Sequence, residues 1–254
     1  IKLAGSTEFS IRFLSAVFGA LTIPLIWATG RRLLGVKAGL LSATLVSISP
    51  LFLWYSQEAR MYTLVTLLCL LSTYVLVRIV AGKGPSHALW AIYVLANVVA
   101  VYTHFYAFFV LAFQFVFFLA WWLMGGGRGR WAILASGVLG QGAVVVAYLP
   151  WSGFVLQRYG ADVSYWEGTL RVGEVLRKTL ITFSTGHSVL EVIAQPIAMG
   201  YLLILLTGVV VLALDLARRR RVEGSQGREG IPLAERRPWL ALVGLILYLV
   251  LPLS

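Results

Sequence analysis

Long apolar runs constrain this chain more than any other feature. Stretches at about 13–30, 39–55, 61–80, 88–103, 105–124, 132–150, 197–217 and 239–254 are nearly free of charge and of a length suited to a ~30 Å hydrocarbon core. A chain that is 59% hydrophobic and 12% charged cannot give a soluble domain of this length the polar surface it needs. The runs predict an all-α fold, a polytopic transmembrane helix bundle of about eight spans in a single membrane domain, residues 1–254. Nine Trp and eleven Tyr suit anchoring at the lipid–water boundary. Cys69 is the single cysteine and lies inside an apolar run, so no intrachain disulfide can form. The chain opens on Ile1 without a signal-peptide pattern, and its last run stops at Ser254 after roughly 16 residues, short of the usual ~20. That reads as a piece cut at both ends.

The net charge of +11 has the magnitude of a nucleic-acid binder, but its placement argues for no nucleic-acid partner. Lys and Arg concentrate in short breaks: Arg31, Arg32 and Lys37; Arg78 and Lys83; Arg128 and Arg130; and Arg218–Arg221 with Arg228, Arg236 and Arg237. Short basic loops mark the cytoplasmic face. All four share that face only if residues 88–124 cross twice, and that run is too long for one span, with Tyr102-Thr103-His104 as a polar place to turn. Residues 218–238 then form a basic cytoplasmic loop whose Arg run anchors at an anionic leaflet, with Asp215 placed for a helix-end ion pair. The outer face receives Glu8 to Arg12, the Ser56–Arg60 cluster, the His104 turn and a long loop, 150–196. In that loop Leu170, Val172, Val175, Leu176, Leu180 and Phe183 roughly follow helical spacing, with Arg171, Glu174, Arg177 and Lys178 on other faces. This predicts an amphipathic helix at the interface, preceded by Tyr165 and Trp166, that either covers the bundle or walls a cleft.

The chemistry concentrates in Ser56-Gln57-Glu58-Ala59-Arg60-Met61-Tyr62, between two apolar runs. An ionisable group costs about 2.5–3.5 kcal/mol at a helix centre on insertion scales, so a carboxylate, a guanidinium and a phenol packed at the rim point to a task. The plain reading makes Ser56 an N-cap, with Glu58 in the first helical turn against the dipole. On that reading Glu58 and Tyr62 share a helix face and Arg60 points elsewhere. Arg60 then either snorkels or grips a phosphate through its planar fork of donors. His104, between Tyr102 and Tyr106, either hydrogen-bonds a carbonyl in a tight turn or contacts a phosphate or metal at the bundle's mouth. His87 and His187 read as solvated loop residues. No His/Cys/carboxylate set has zinc-ligand spacing, and Gly125-Gly126-Gly127 lacks the strand and helix of a phosphate loop.

The segment Glu8-Phe9-Ser10-Ile11-Arg12-Phe13-Leu14-Ser15-Ala16-Val17-Phe18-Gly19 resembles the end of the first outer loop in bacterial family 39 glycosyltransferases. These belong to the protein O-mannosyltransferase and aminoarabinose-transferase superfamily, of GT-C fold. The similarity continues through Gly30-Arg31-Arg32-Leu33-Leu34-Gly35, Ala38-Gly39-Leu40-Leu41 and Ser49-Pro50 to Trp54-Tyr55. It peaks at Ser56 to Tyr62, and Tyr102-Thr103-His104-Phe105-Tyr106 resembles a second family motif. The resemblance implies a multi-pass plasma-membrane enzyme that takes a sugar from a polyprenyl-phosphate carrier and passes it to an acceptor at the outer face. That acceptor is a protein, a lipid or a polysaccharide. It implies that Arg60 and Arg12 hold the lipid phosphate, Glu58 orients sugar hydroxyls or the acceptor, and Tyr62, His104 and Tyr106 complete the pocket. The family's acidic base falls before Ile1 and matches no residue of this chain. Family members differ in sugar, acceptor and need for a divalent ion, so no cofactor is assigned and a divalent metal stays open. The alternative class is a transporter or flippase of an amphiphile, which calls for broken helices and midplane polar groups rather than motifs at one rim. A non-catalytic scaffold is a third.

Overall fold

The computed structural model describes residues 7–82, 86–123, 129–161, 172–186 and 189–222, and the regular structure among them is α-helical. In chain order the helices are α1 (Glu8–Leu34), α2 (Val36–Ser47), α3 (Pro50–Gln57), α4 (Tyr62–Ala81), α5 (His87–Thr103), α6 (Ala107–Leu123), α7 (Arg130–Ala161), α8 (Val172–Thr185) and α9 (Glu191–Val222). Helix α1 is capped as its sequence dictates. The Thr7 side chain accepts from the Ser10 amide at 3.3 Å, Glu8 sits in the first turn, and Arg31 and Arg32 sit in the last. Gly35, at φ 97°, stops α1 and lets α2 double back, a conformation that disfavours any residue with a Cβ. The returning helix packs backbone to backbone. A Cβ on Gly30 would lie 2.9 Å from the Gly39 Cα, and one on Gly39 would lie 2.7 Å from the Trp27 carbonyl oxygen. Small residues at such a seam are the usual device of membrane helices, which lack a hydrophobic drive toward one another.

The core lies where α4 meets α5, α6 and α7. Leu76 and Ile79 of α4 are buried with Trp90 and Tyr93 of α5, Phe113, Phe117 and Trp121 of α6, and Ile133 of α7. Some of its polar groups pair across helices. Gln114 Nε2 donates to Ser72 Oγ at 2.7 Å and to Thr73 Oγ1 at 3.0 Å, and Gln141 Nε2 donates to the Tyr93 hydroxyl at 3.0 Å.

The apolar runs become helices, but not eight straight spans. Among the described residues three helices, Glu8–Leu34, Tyr62–Ala81 and Arg130–Arg158, are each long and apolar enough to cross a membrane. The run 39–55 is not one span: it breaks into α2 and α3 with a 59° bend, and counting that pair raises the number to four. The cause is local. Pro50 disfavours helical geometry at Ser49 and brings no N–H, while Ser49, extended at ψ 121°, caps α3 by accepting from the Phe52 amide at 3.5 Å. The double crossing over 88–124 appears as α5 and α6, 17 residues each, joined at His104-Phe105-Tyr106. At ~1.5 Å per residue each is at the short limit for a span. Helix α7 continues through Pro150 to Ala161, past the expected start of the outer loop. Helix α9 continues to Val222, into the expected basic loop. Residues 223–254, Tyr165, Trp166, Leu170, Arg171 and His187 lie outside the described residues, as do the side chains of Asp215 and Arg218–Arg221.

The expected amphipathic helix is α8, which packs on α9 and α3. Its charges are satisfied locally, Lys178 with Glu174 at 2.9 Å and Arg177 with Glu191 of α9 at 2.5 Å. The lysine, by hydrogen bond and charge, holds the Glu174 carboxyl below its ordinary range. At one end of the bundle the basic residues rest on aromatic rings: Arg31 lies 4.7 Å from the Trp27 ring centroid, Arg32 5.9 Å from Tyr74 and Arg130 5.7 Å from Trp131. The N-terminus of α1, the α3–α4 connection and the α5–α6 turn meet at the other end.

Candidate functional site

The site begins with a backbone break. Helix α3 ends at Gln57 and α4 starts at Tyr62, so Glu58 is a helix C-cap in extended conformation (φ −88°, ψ 136°), not a first-turn residue capped by Ser56. Ser56 lies inside α3, its hydroxyl donating to the Phe52 carbonyl at 2.7 Å. The Arg60 amide donates to the Glu58 carbonyl at 2.8 Å, a three-residue turn centred on Ala59. Helix α1 braces this turn: the buried Ser15 hydroxyl donates to the Arg60 carbonyl at 3.2 Å, and Gly19 leaves room for Ser56.

The break corrects the expectation that Glu58 and Tyr62 share a helix face while Arg60 points away. Arg60 lies between them. Its Nε is 3.4 Å from Glu58 Oε1, and its Nη1 donates to the Tyr62 hydroxyl oxygen at 3.3 Å. The Tyr62 hydrogen bond and then the Glu58 charge raise the Arg60 pKa, so the guanidinium stays charged, with 60% of its side chain exposed. Two of its five donors are engaged in these contacts.

Tyr62 carries the cluster to the second motif. Its ring centroid is 4.8 Å from Tyr55 and 6.0 Å from His104, and His104 in turn lies 4.8 Å from Tyr106 and 5.2 Å from Phe105. His104 caps α5. Its Nδ1 accepts from the Tyr106 amide at 3.2 Å instead of donating to a carbonyl, which fixes the neutral tautomer with hydrogen on Nε2. Partial burial lowers its pKa and favours that neutral form. On the other side Arg12 of α1, paired with Glu8 at 2.6 Å, shares a hollow of about 180 Å³ with Trp54, Gln57 and Glu58.

The structure thus draws Arg12, Glu58, Arg60, Tyr62, His104 and Tyr106 to one end of the bundle, linked by Glu58 and Tyr62. Sequence reasoning missed Trp54 and Gln57. Their spacing of three in a helix sets both on one face, and that signal was available once α3 was recognised as a helix ending at Gln57. Among the described residues no three His, Cys, Asp or Glu side chains come together in a metal-sized cluster. The hydrogen-bond donors at this end include the guanidinium of Arg60, the hydroxyl of Tyr62 and the imidazole N–H of His104.

The family model described as dolichyl-phosphate-mannose-protein mannosyltransferase matches residues 1–151, a stretch that holds the whole cluster. The chain belongs to this family. No curated protein and no solved structure matches it. Membership of the mannosyltransferase family makes it a membrane glycosyltransferase of GT-C type and a multi-pass membrane protein, in keeping with its spanning helices. The match ends one residue after Pro150, so the family's share of the chain is α1 to α6 and most of α7, the helices that position the cluster.

Proposed function

We propose that the Arg60 cluster holds the phosphate of a polyprenyl-phosphate sugar at the outer face of the plasma membrane, for transfer of the sugar to an acceptor hydroxyl. The observation that carries this reading is the contact chain Glu58–Arg60–Tyr62–His104, gathered at the end of the bundle opposite Arg31, Arg32 and Arg130. Basic ends favour the cytoplasm, which turns the cluster outward.

In the transfer the bond from the anomeric carbon to the phosphate oxygen breaks, a bond from that carbon to the acceptor oxygen forms, and the acceptor's proton leaves to a base. Negative charge grows on the departing lipid phosphate. Donors aimed at the position where charge develops, and fixed beforehand by their own partners, stabilise the transition state more than the ground state. Arg60 is fixed by Glu58 and Tyr62, and His104 by the Tyr106 amide. Because the Tyr62 oxygen accepts from Arg60, its own hydrogen is free to donate. Glu58, bound to Arg60 on one side and open to the hollow on the other, is placed to orient sugar hydroxyls. The family's description supports mannose on a dolichyl-type phosphate as the donor class and a protein as acceptor.

The test is transfer from polyprenyl-phosphate mannose by the full-length protein. Arg60→Ala and Glu58→Ala should each abolish turnover while membrane insertion stays intact. Wild-type turnover in both would remove these residues from the site.

A further inference from the structure

The hollow beside the phosphate grip has a composition of its own. Four residues line it: Trp54, Gln57 and Glu58 from α3, and Arg12 from α1. Trp54 and Gln57 lie one turn apart on the same face of α3, and both are exposed, with Trp54 at 55%. Glu58 follows at the C-cap, and Arg12 faces them across the seam between α1 and α3. The side chains therefore offer a flat apolar plate, an amide that both donates and accepts, a carboxylate and a guanidinium. An indole plate suits the apolar C–H face of a pyranose, and planar amide and carboxylate groups suit vicinal hydroxyls, which donate and accept in pairs. A volume of about 180 Å³ is that of roughly six waters at ~30 Å³ each, the size of one sugar ring.

The position is as telling as the chemistry. Glu58 belongs to both features: its carboxylate lies 3.4 Å from Arg60 Nε, and the residue lines the hollow with Arg12. A sugar phosphate is a ring joined directly to an anion, and a ring-sized hollow sharing one residue with an anion grip has the same layout.

We propose that Trp54, Gln57, Glu58 and Arg12 form a monosaccharide subsite, with the Trp54 indole as stacking plate and Gln57 selecting among hydroxyl configurations. This rests on the reading of Arg60 as the phosphate grip. The ring it takes is a pyranose, from the donor lipid or from a glycosylated acceptor.

The experiment uses the full-length protein in lipid nanodiscs and three probes: polyprenyl-phosphate mannose, the same polyprenyl phosphate without sugar, and methyl α-mannopyranoside as the acceptor-type ring. Trp54→Ala should weaken binding of the mannosyl lipid between about three- and tenfold, with Trp54→Phe losing less, and leave the sugar-free lipid unchanged. Gln57→Ala should change the ratio of mannosyl to glucosyl lipid affinity. A loss confined to methyl mannoside would assign the ring to the acceptor and still support the subsite. No loss with either sugar, or an equal loss with the sugar-free lipid, would overturn it and leave Trp54 as an interfacial anchor. The phosphate reading fails separately, if Arg60→Ala binds the sugar-free lipid as tightly as wild type.

Discussion

Gly19 is remote from the proposed chemistry, yet its substitution should damage it. A Cβ added at Gly19 would stand 3.0 Å from the Ser56 Cβ and closer still to its Oγ. Ordinary carbon–carbon contact begins near ~3.5 Å, so α1 and α3 would have to part by about half an ångström. Turning the Ser56 hydroxyl aside does not relieve the Cβ contact, and it gives up the bond to the Phe52 carbonyl, worth about 1 kcal/mol. Overpacking of this kind costs about 1–3 kcal/mol, and the better helix propensity of Ala returns about 1. Gly19→Ala should thus destabilise the α1–α3 seam by about 1–3 kcal/mol. Ser15, one turn earlier on α1, holds the Arg60 carbonyl, so parting the seam also drags the Glu58–Arg60 turn. A site tolerates about 0.5 Å of error, and a displacement of 1 Å can cost about a hundredfold, so transfer should fall about tenfold. The assay pairs thermal unfolding in nanodiscs with transfer from polyprenyl-phosphate mannose. Ser56→Gly removes both colliding atoms and should recover activity in the double variant. The reasoning is refuted if Gly19→Ala is as stable and active as wild type, or if Ser56→Gly gives no recovery.

Three other outcomes are expected. Gln114→Leu, which removes the donor to Ser72 and Thr73 in the core, should lower stability by about 1–2 kcal/mol at an average near 0.6 per interhelical bond; denaturant unfolding in mixed micelles measures it. His104, whose pKa is lowered by burial, binds its proton more weakly folded than unfolded, so its stabilisation is complete above its ordinary value of 6.5 and declines as pH falls below it. Protonation also turns Nδ1 into a donor facing the Tyr106 amide, and His104→Asn, which keeps an acceptor there, should flatten the pH dependence of the melting temperature below pH 6.5. For orientation, Ala59→Cys should react with a membrane-impermeant maleimide in intact cells and Lys37→Cys only after permeabilisation; the reverse pattern would invert the topology.

The sequence carries the bundle plainly because hydrocarbon leaves the backbone little choice: an uncharged run must be helical, and the described runs form one helix each or, at 39–55, two. It carries the grouping of the motifs as well, since Arg31, Arg32 and Arg130 fix one end and the site residues collect at the other. What hydropathy hides is continuity. A window averaged over 39–55 cannot register that Ser49-Pro50 stops one helix and starts another, and the same averaging conceals that α7 passes through Pro150. Each is a backbone event at a single residue within an unbroken apolar run. Trp54 and Gln57 stayed hidden for a related reason. Their shared face exists only once α3 is a separate eight-residue helix directed at the rim.

The break after Gln57 also explains why this cluster has its composition. In a continuous helix Glu58, Arg60 and Tyr62 would be splayed at ~100° per residue, and Arg60 could reach neither neighbour well. An extended Glu58 and a tight turn at Ala59 replace that spread with convergence, so Arg60 reaches both Glu58 and Tyr62. The i, i+2, i+4 placement of carboxylate, guanidinium and phenol is therefore gathered by an extended Glu58, a turn at Ala59 and the start of α4 at Tyr62. Breaking a helix at the edge of hydrocarbon leaves carbonyls to satisfy. Here Tyr55 O accepts from the Glu58 amide at 3.4 Å, Glu58 O from the Arg60 amide, and Arg60 O from Ser15 of α1. The last of these requires a hydroxyl on the neighbouring helix at one particular turn, which the buried Ser15 supplies. The geometry of Arg60 is thus set by α1 as well as by its own motif, through Ser15 and Gly19.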